Sequence, residues 1–108
     1  SLVHWINICD QRGIKRAVVS DNSALNKLAV LHLQHGWSSI VSCRALGCLK
    51  PFPDGIQAAC SQMGVLTQET LVIGDRLETD GKAAFNAGAK FLLYSDLHLL
   101  SDLQKYNT

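Results

Sequence analysis

The sequence predicts an α/β fold in which short parallel strands alternate with helices. Apolar runs of four or five residues, several rich in β-branched side chains, recur along the chain, and segments with apolar residues at helical spacing separate them. Strands joined through helices form parallel pairs, because a parallel connection needs a crossover. We therefore expect a three-layer architecture with about four strands, in one small domain that covers residues 1–108.

The first half of the chain contains two predicted helices and two predicted strands. Apolar residues recur at helical spacing over residues 2–12, and Gly13 then ends the helix. Residues 16–20 form a short apolar strand. A second helix is expected over residues 22–35, and residues 39–42 form the next strand.

The second half of the chain continues the alternation. Pro53 starts a helix that presents Ile56, Ala59 and Cys60 on one face and ends before Gly64. The remaining predicted elements are a strand, a helix, a strand and a short helix, at residues 70–73, 79–87, 90–94 and 96–106.

Composition and charge exclude several classes of function. A net charge of +1 gives no electrostatic case for binding nucleic acid or an anionic membrane. No segment resembles a membrane-spanning helix or a secretory signal. The four cysteines match no zinc-binding spacing, which favours reduced thiols in a cytoplasmic protein; they are Cys9, Cys43, Cys48 and Cys60.

The stretch from Gly74 to Asp80 carries the clearest chemical signal. It follows an apolar strand, so Asp75 lies at the carboxyl end of that strand, where open α/β sheets bind their ligands. Mg²⁺ takes oxygen ligands and is often shared between protein carboxylates and a substrate phosphate. The alternative is that these acids only favour the start of the next helix, with Thr79 or Asp80 as its cap.

Two further polar groups occur at similar positions. Ser20 ends the first strand, and a hydroxyl beside the free N–H groups of a helix start, near Asp21 and Asn22, suits a phosphate oxygen. The same residue types also favour a helix N-cap, so both interpretations stay open. Lys50 precedes the proline-led helix, where an ammonium group can neutralise charge on a phosphate and a nearby carboxylate.

In this order, the motifs resemble those of the haloacid dehalogenase (HAD) superfamily of Mg²⁺-dependent phosphohydrolases, which have a Rossmann-like fold. Ser20 in AVVSDN matches the hydroxyl that binds the transferring phosphoryl group. Lys50 in LKPFPDGIQAACSQMGV matches the lysine that steadies the charge of nucleophile and phosphate. Asp75 and Asp80 in LVIGDRLETDGKAAFNAGAK match the acidic pair whose first member binds Mg²⁺.

The resemblance covers residues 13–95 and implies roles for the remaining candidates. Asp80 would support the metal site through water or pair with the lysine, and both acids are candidate metal residues. Arg76 can reach the substrate phosphate from beside Asp75. The implied function is hydrolysis of small phosphorylated metabolites with Mg²⁺ as cofactor.

One family motif has no counterpart in the sequence. The family carries its nucleophile in an Asp-x-Asp motif at the end of an earlier strand, whereas Asp10 is the only acid before Ser20 and lies in a predicted helix. The resemblance is therefore to a truncated core without the nucleophile strand and cap, with little or no phosphatase activity alone. The alternative is a non-catalytic binding or self-association module derived from the family.

The missing strand also has a consequence for assembly. In the family it lies between the strands expected here at residues 16–20 and 70–73, so its absence exposes two parallel strand edges. We expect these edges to close on each other, to pair in a homodimer, or to bind a complementing N-terminal half.

Overall fold

The computed structural model describes residues 2–20, 36–43, 47 and 52–97. Its helices are α1, α2 and α3, at Leu2–Gln11, Asp54–Met63 and Lys82–Ala87. Its strands are β1, β2, β3 and β4, at Ala17–Ser20, Ser39–Ser42, Leu71–Gly74 and Lys90–Leu93. The alternation of helices and strands is confirmed. The helix expected at 22–35 lies outside the described residues, as does most of the one expected at 96–106.

The four strands form two parallel pairs. β1 pairs with β2 from Ala17 opposite Ser39 to Ser20 opposite Ser42. β3 pairs with β4 from Leu71 opposite Lys90 to Gly74 opposite Leu93. Among the described residues no ladder joins one pair to the other, so they form separate two-stranded sheets. The α/β class with parallel strands is confirmed.

Helix α2 packs against both strands of the first sheet and against α3, and so links the two halves of the fold. The face predicted from its apolar spacing is buried, with Ile56 and Cys60 in the core. Burial of such a face is what stabilises a helix in a small domain. The core cluster consists of Ile56, Cys60, Ala83, Ala84 and Ala87, flanked by Val65, Val72, Ala89 and Phe91.

The helix ends follow the glycines that predicted them. Gly64 and Gly88 adopt left-handed backbone, with φ of 69° and 80°, and their N–H groups bond the last carbonyls of α2 and α3. Strand β3 starts one residue later than predicted, because Thr70 still belongs to the preceding turn. The Thr70 N–H donates to the carbonyl oxygen of Thr67 at 3.0 Å, and its hydroxyl donates to that of Leu66 at 2.9 Å.

Arg16 connects α1 to the first sheet. Its guanidinium donates to the carboxylate of Asp10 at 3.1 Å and lies 4.5 Å from the centroid of the Trp37 ring, a cation–π contact. The neighbouring Lys15 donates from Nζ to the carbonyl oxygen of Met63 at 2.7 Å, at the end of α2. These contacts hold α1, the start of β1 and the end of α2 together.

Cys9, Cys43 and Cys60 are free thiols, while Cys48 lies outside the described residues. Burial raises the pKa of the Cys9 thiol above its usual value; Arg16 lowers that pKa in part and Asp10 adds to it. Within the described parts of the chain, no helix combines the length and apolar character needed to cross a bilayer.

Candidate active site

The chain leaves β3 at Gly74 and turns at once. Asp75 and Arg76, the next two residues, are exposed to solvent. Asp75 therefore lies directly after a strand of a parallel sheet, at its carboxyl end, where its sequence position predicted it.

A single π turn, Leu77–Gly81, follows this loop. The N–H of Gly81 donates to the carbonyl oxygen of Arg76 at 3.1 Å, and the N–H of Lys82 donates to that of Leu77, five residues back in each case. The predicted helix over 79–87 is thus wrong in its first part, since regular α-helix begins only at Lys82. Such π turns are rare in proteins as a whole, but those that occur often lie at functional sites.

Asp80 lies inside the π turn and is 7% exposed. Its Oδ2 accepts the backbone N–H of Asp75 at 3.2 Å and that of Arg76 at 3.3 Å, at the long end of the usual hydrogen-bond range. Its carboxylate therefore turns back to the loop after β3. The residue before α3, Gly81, makes no side-chain cap, so neither Thr79 nor Asp80 is the N-cap of α3. Asp80 instead reaches back to the N–H of Arg76, the residue at which the π turn begins, and to the N–H of the residue before it.

Gly74 is required by this carboxylate. A Cβ built on Gly74 would lie 2.5 Å from Cβ of Asp80 and 2.7 Å from its Oδ2, closer than real Cβ atoms approach other atoms. Sequence reasoning named both acids but missed the contact between them and the glycine. The signal available was a glycine directly before the first acid, at a strand end where β-branched residues are otherwise favoured.

The other predicted site residues divide into two groups. Ser20 is the last residue of β1 and is buried, 7% exposed, in register with Ser42. It belongs to the first sheet, whereas the turn with Asp75, Arg76 and Asp80 follows the second. The remaining candidates lie outside the described residues: Asp21, Asn22 and Lys50.

The donor chemistry of this turn fits a Mg²⁺ ion. Asp75 offers an exposed carboxylate, and Mg²⁺ is commonly held by one or two carboxylates together with water and substrate oxygens. Within the described ranges, no three His, Cys, Asp or Glu residues cluster as a metal cage. The exposed carboxylate of Asp75 thus suits a cation that is shared with a substrate.

Comparison with known proteins agrees with this fold. The family model of haloacid dehalogenase-like hydrolases matches residues 1–88. A HAD-superfamily hydrolase from Ehrlichia chaffeensis superposes with a TM-score of 0.81 at 22% identity, over 96% of this chain and 56% of that one. A HAD phosphatase from Thermococcus onnurineus superposes with a TM-score of 0.73 at 20% identity, over 80% of this chain and 41% of that one.

The chain thus spans about half the length of these two structures. No curated protein matches its sequence significantly. Because the family model covers most of the chain, this protein belongs to the haloacid dehalogenase-like hydrolase family.

Proposed function

We propose that this chain forms part of a Mg²⁺-dependent phosphohydrolase that acts on small phosphorylated metabolites. The observation that carries the proposal is the exposed carboxylate of Asp75 at the carboxyl end of β3, on a loop whose backbone is fixed by Asp80. Membership of the hydrolase family supports it. The free thiols among the described cysteines support a reducing location such as the cytoplasm.

The proposed roles follow from charge. A bound Mg²⁺ would neutralise negative charge on the phosphoryl group, and Asp75 would hold that ion. The hydroxyl of Ser20 and the backbone N–H groups of Asp21 and Asn22 would donate to phosphoryl oxygens. The cations Lys50 and Arg76 would offset the remaining charge.

These groups bind and neutralise, but none of them attacks phosphorus. The sequence contains no Asp-x-Asp motif, so a carboxylate nucleophile of the family type is not supplied by residues 1–108. Phosphoryl transfer needs an in-line nucleophile besides charge neutralisation, and an error of about 1 Å in its position can cost roughly 100-fold in rate. We therefore propose that the chain alone has little or no turnover and that an N-terminal half completes it.

A phosphatase screen with and without such a half tests this proposal. The chain would be assayed with Mg²⁺ against phosphoglycolate, sugar phosphates and nucleotides, alone and after mixing with a half that carries an apolar strand ending in Asp-x-Asp. We expect turnover only in the mixture, lost in Asp75→Ala and kept in Glu69→Gln, which changes an exposed acid in the turn before β3. Robust turnover by the chain alone, abolished in Asp75→Ala, would contradict it.

A second candidate is a binding or self-association module without catalysis. The observation that favours it is the pair of two-stranded sheets, in which neither β1 nor β3 has a second strand partner among the described residues. Leu71 and Ile73, on one face of β3, are 40% and 39% exposed. In this alternative, the free edges bind a second copy of the chain and no added half restores turnover.

A further inference from the structure

We infer that Tyr94 is a specificity-determining residue that contacts the organic part of the phosphorylated substrate. The ligand class that it fits is a phosphate ester with an aromatic ring next to the phosphate. The inference deepens the proposed function and rests on it, because the phosphate held near Asp75 is its reference point. The sequence pattern alone placed Tyr94 only at the end of a strand.

The register of the second sheet places Tyr94 beside the loop of Asp75. Gly74 and Leu93 form the last pair of β3 with β4, so Asp75 and Tyr94 are the first residues beyond the carboxyl ends of two paired parallel strands. Paired strands lie about 5 Å apart. The two segments therefore leave the sheet side by side at one edge, where a ligand held at Asp75 is within reach of a tyrosine ring.

Tyr94 is positioned by a short turn that is anchored in the fold. Residues 94–97 form a single 3₁₀ turn directly after β4. Leu97, at the end of this turn, is 6% exposed, so its buried apolar side chain fixes the turn to the protein. Tyr94, at the start of the turn, is 48% exposed. The fold thus presents the ring to solvent on a backbone that is already held in place, which lowers the entropic cost of binding a ligand.

The segments at this edge offer both charged and apolar contacts. Asp75 and Arg76 are exposed, and their charges suit a cation and a phosphate. Tyr94 adds exposed apolar surface from the end of β4, and Leu77, which is 62% exposed, adds more from the turn after β3. Ligand sites typically combine a few polar groups with a largely apolar lining. This edge therefore fits a ligand with a charged end and an apolar end.

An aromatic ester is the ligand that uses this surface best. The face of a tyrosine ring attracts a second aromatic ring in an offset or edge-to-face geometry, and this attraction adds to the burial of apolar area. The planar guanidinium of Arg76 is a second group that stacks on aromatic rings. A small hydroxylated ester has no ring to place against Tyr94. We therefore expect aryl phosphates to bind more tightly than such esters.

NMR titration of the full chain in the presence of Mg²⁺ tests the inference. The probes are phenyl phosphate and glycerol 3-phosphate, with inorganic phosphate as a measure of the phosphate site alone. We expect phenyl phosphate to bind roughly tenfold more tightly than glycerol 3-phosphate and to shift the Tyr94 ring resonances through its ring current. Tyr94→Phe should keep this preference, and Tyr94→Ser should reduce it to about twofold or less. Phe85→Ser, the matched loss of an exposed aromatic side chain in α3, should leave it unchanged.

The outcomes separate this inference from the proposed function. Equal affinity of the wild type for the two esters, or a preference that survives Tyr94→Ser, would overturn the inference. Binding of inorganic phosphate that is lost in Asp75→Asn would still support the proposed function in that case. If the wild type binds none of the three probes, the proposed function and the inference fail together. The Tyr94 ring resonances give an answer that does not depend on any variant: if phenyl phosphate binds without shifting them, the inference is wrong.

Discussion

Gly74 and Asp80 act as one unit although six residues separate them. The glycine gives the carboxylate room, and the carboxylate in turn accepts the two N–H groups that follow the strand. A residue with no side chain thereby decides where a charged side chain lies. Gly74 affects the site through the main chain, so a substitution of this glycine can disrupt the site although it changes no acidic residue.

Gly74→Ala should destabilise the fold by about 1–3 kcal/mol, the usual cost of placing an atom into filled space. Denaturant unfolding measures this cost. In an Asp80→Gly background the same substitution meets no side chain, so it should cost at least ~0.5 kcal/mol less than in the wild type. Equal costs in the two backgrounds would show that the close approach at Gly74 is relieved elsewhere.

Cys9 should react slowly with iodoacetamide near neutral pH. Burial raises its pKa, so the thiolate fraction at a given pH is lower than in an ordinary cysteine, and alkylation rises only at higher pH. Peptide mapping by mass spectrometry measures the rate at this one residue. Because Asp10 also raises this pKa, Asp10→Asn should shift the alkylation profile to lower pH; a shift to higher pH would contradict this assignment.

At the scale of single elements, small side chains let α3 lie close to α2. Ala83 and Ala84 are fully buried in the core cluster. Ala84→Leu adds three carbon atoms at this contact and should lower the free energy of unfolding by about 1–3 kcal/mol. Phe85→Leu, on the same helix at a side chain 81% exposed, should change it by less than about 0.5 kcal/mol. Thermal unfolding of the two variants side by side gives the comparison.

Elements whose bounds are set by neighbouring residues in the sequence could be predicted. Strand β2 has the bounds that its apolar run predicted, and α2 ends where Gly64 allows a left-handed residue. The π turn Leu77–Gly81 could not be predicted from the sequence. Its hydrogen bonds join residues that are five apart, whereas the same residues also favour the α-helical bonds between residues four apart. The turn at Thr67–Glu69 was not predicted either. A side-chain bond from the Thr70 hydroxyl to the carbonyl oxygen of Leu66 closes it, and both residues lie outside the turn itself.

The candidate site could likewise be predicted only in part from the sequence. A strand followed by Gly-Asp places Asp75 correctly, because strand ends are set by local pattern. The partner of Asp80 could not be inferred from spacing, since a carboxylate five residues further along can face solvent, a cation or the backbone. Only the folded turn selects the backbone N–H groups of Asp75 and Arg76.

At the scale of the whole molecule, the two sheets share a helix layer but, among the described strands, no hydrogen-bonded ladder. Unpaired strand edges tend to recruit another strand. We expect the isolated chain to associate in a concentration-dependent way in sedimentation experiments. Ile73→Lys, on β3, should weaken this association, whereas Leu66→Lys, exposed but outside the strands, should not. A strict monomer whose β1 and β3 amides exchange rapidly would contradict this expectation.

The π turn has a consequence for how this chain tolerates changes in length. The hydrogen bonds of this turn span five residues, one more than those of an α-helix. Loss of one residue here would restore an ordinary helical turn and leave the register of β3 on β4 untouched. The same loss would carry the Asp80 carboxylate away from the N–H groups of Asp75 and Arg76, so the scaffold can tolerate a shorter turn that the candidate site cannot.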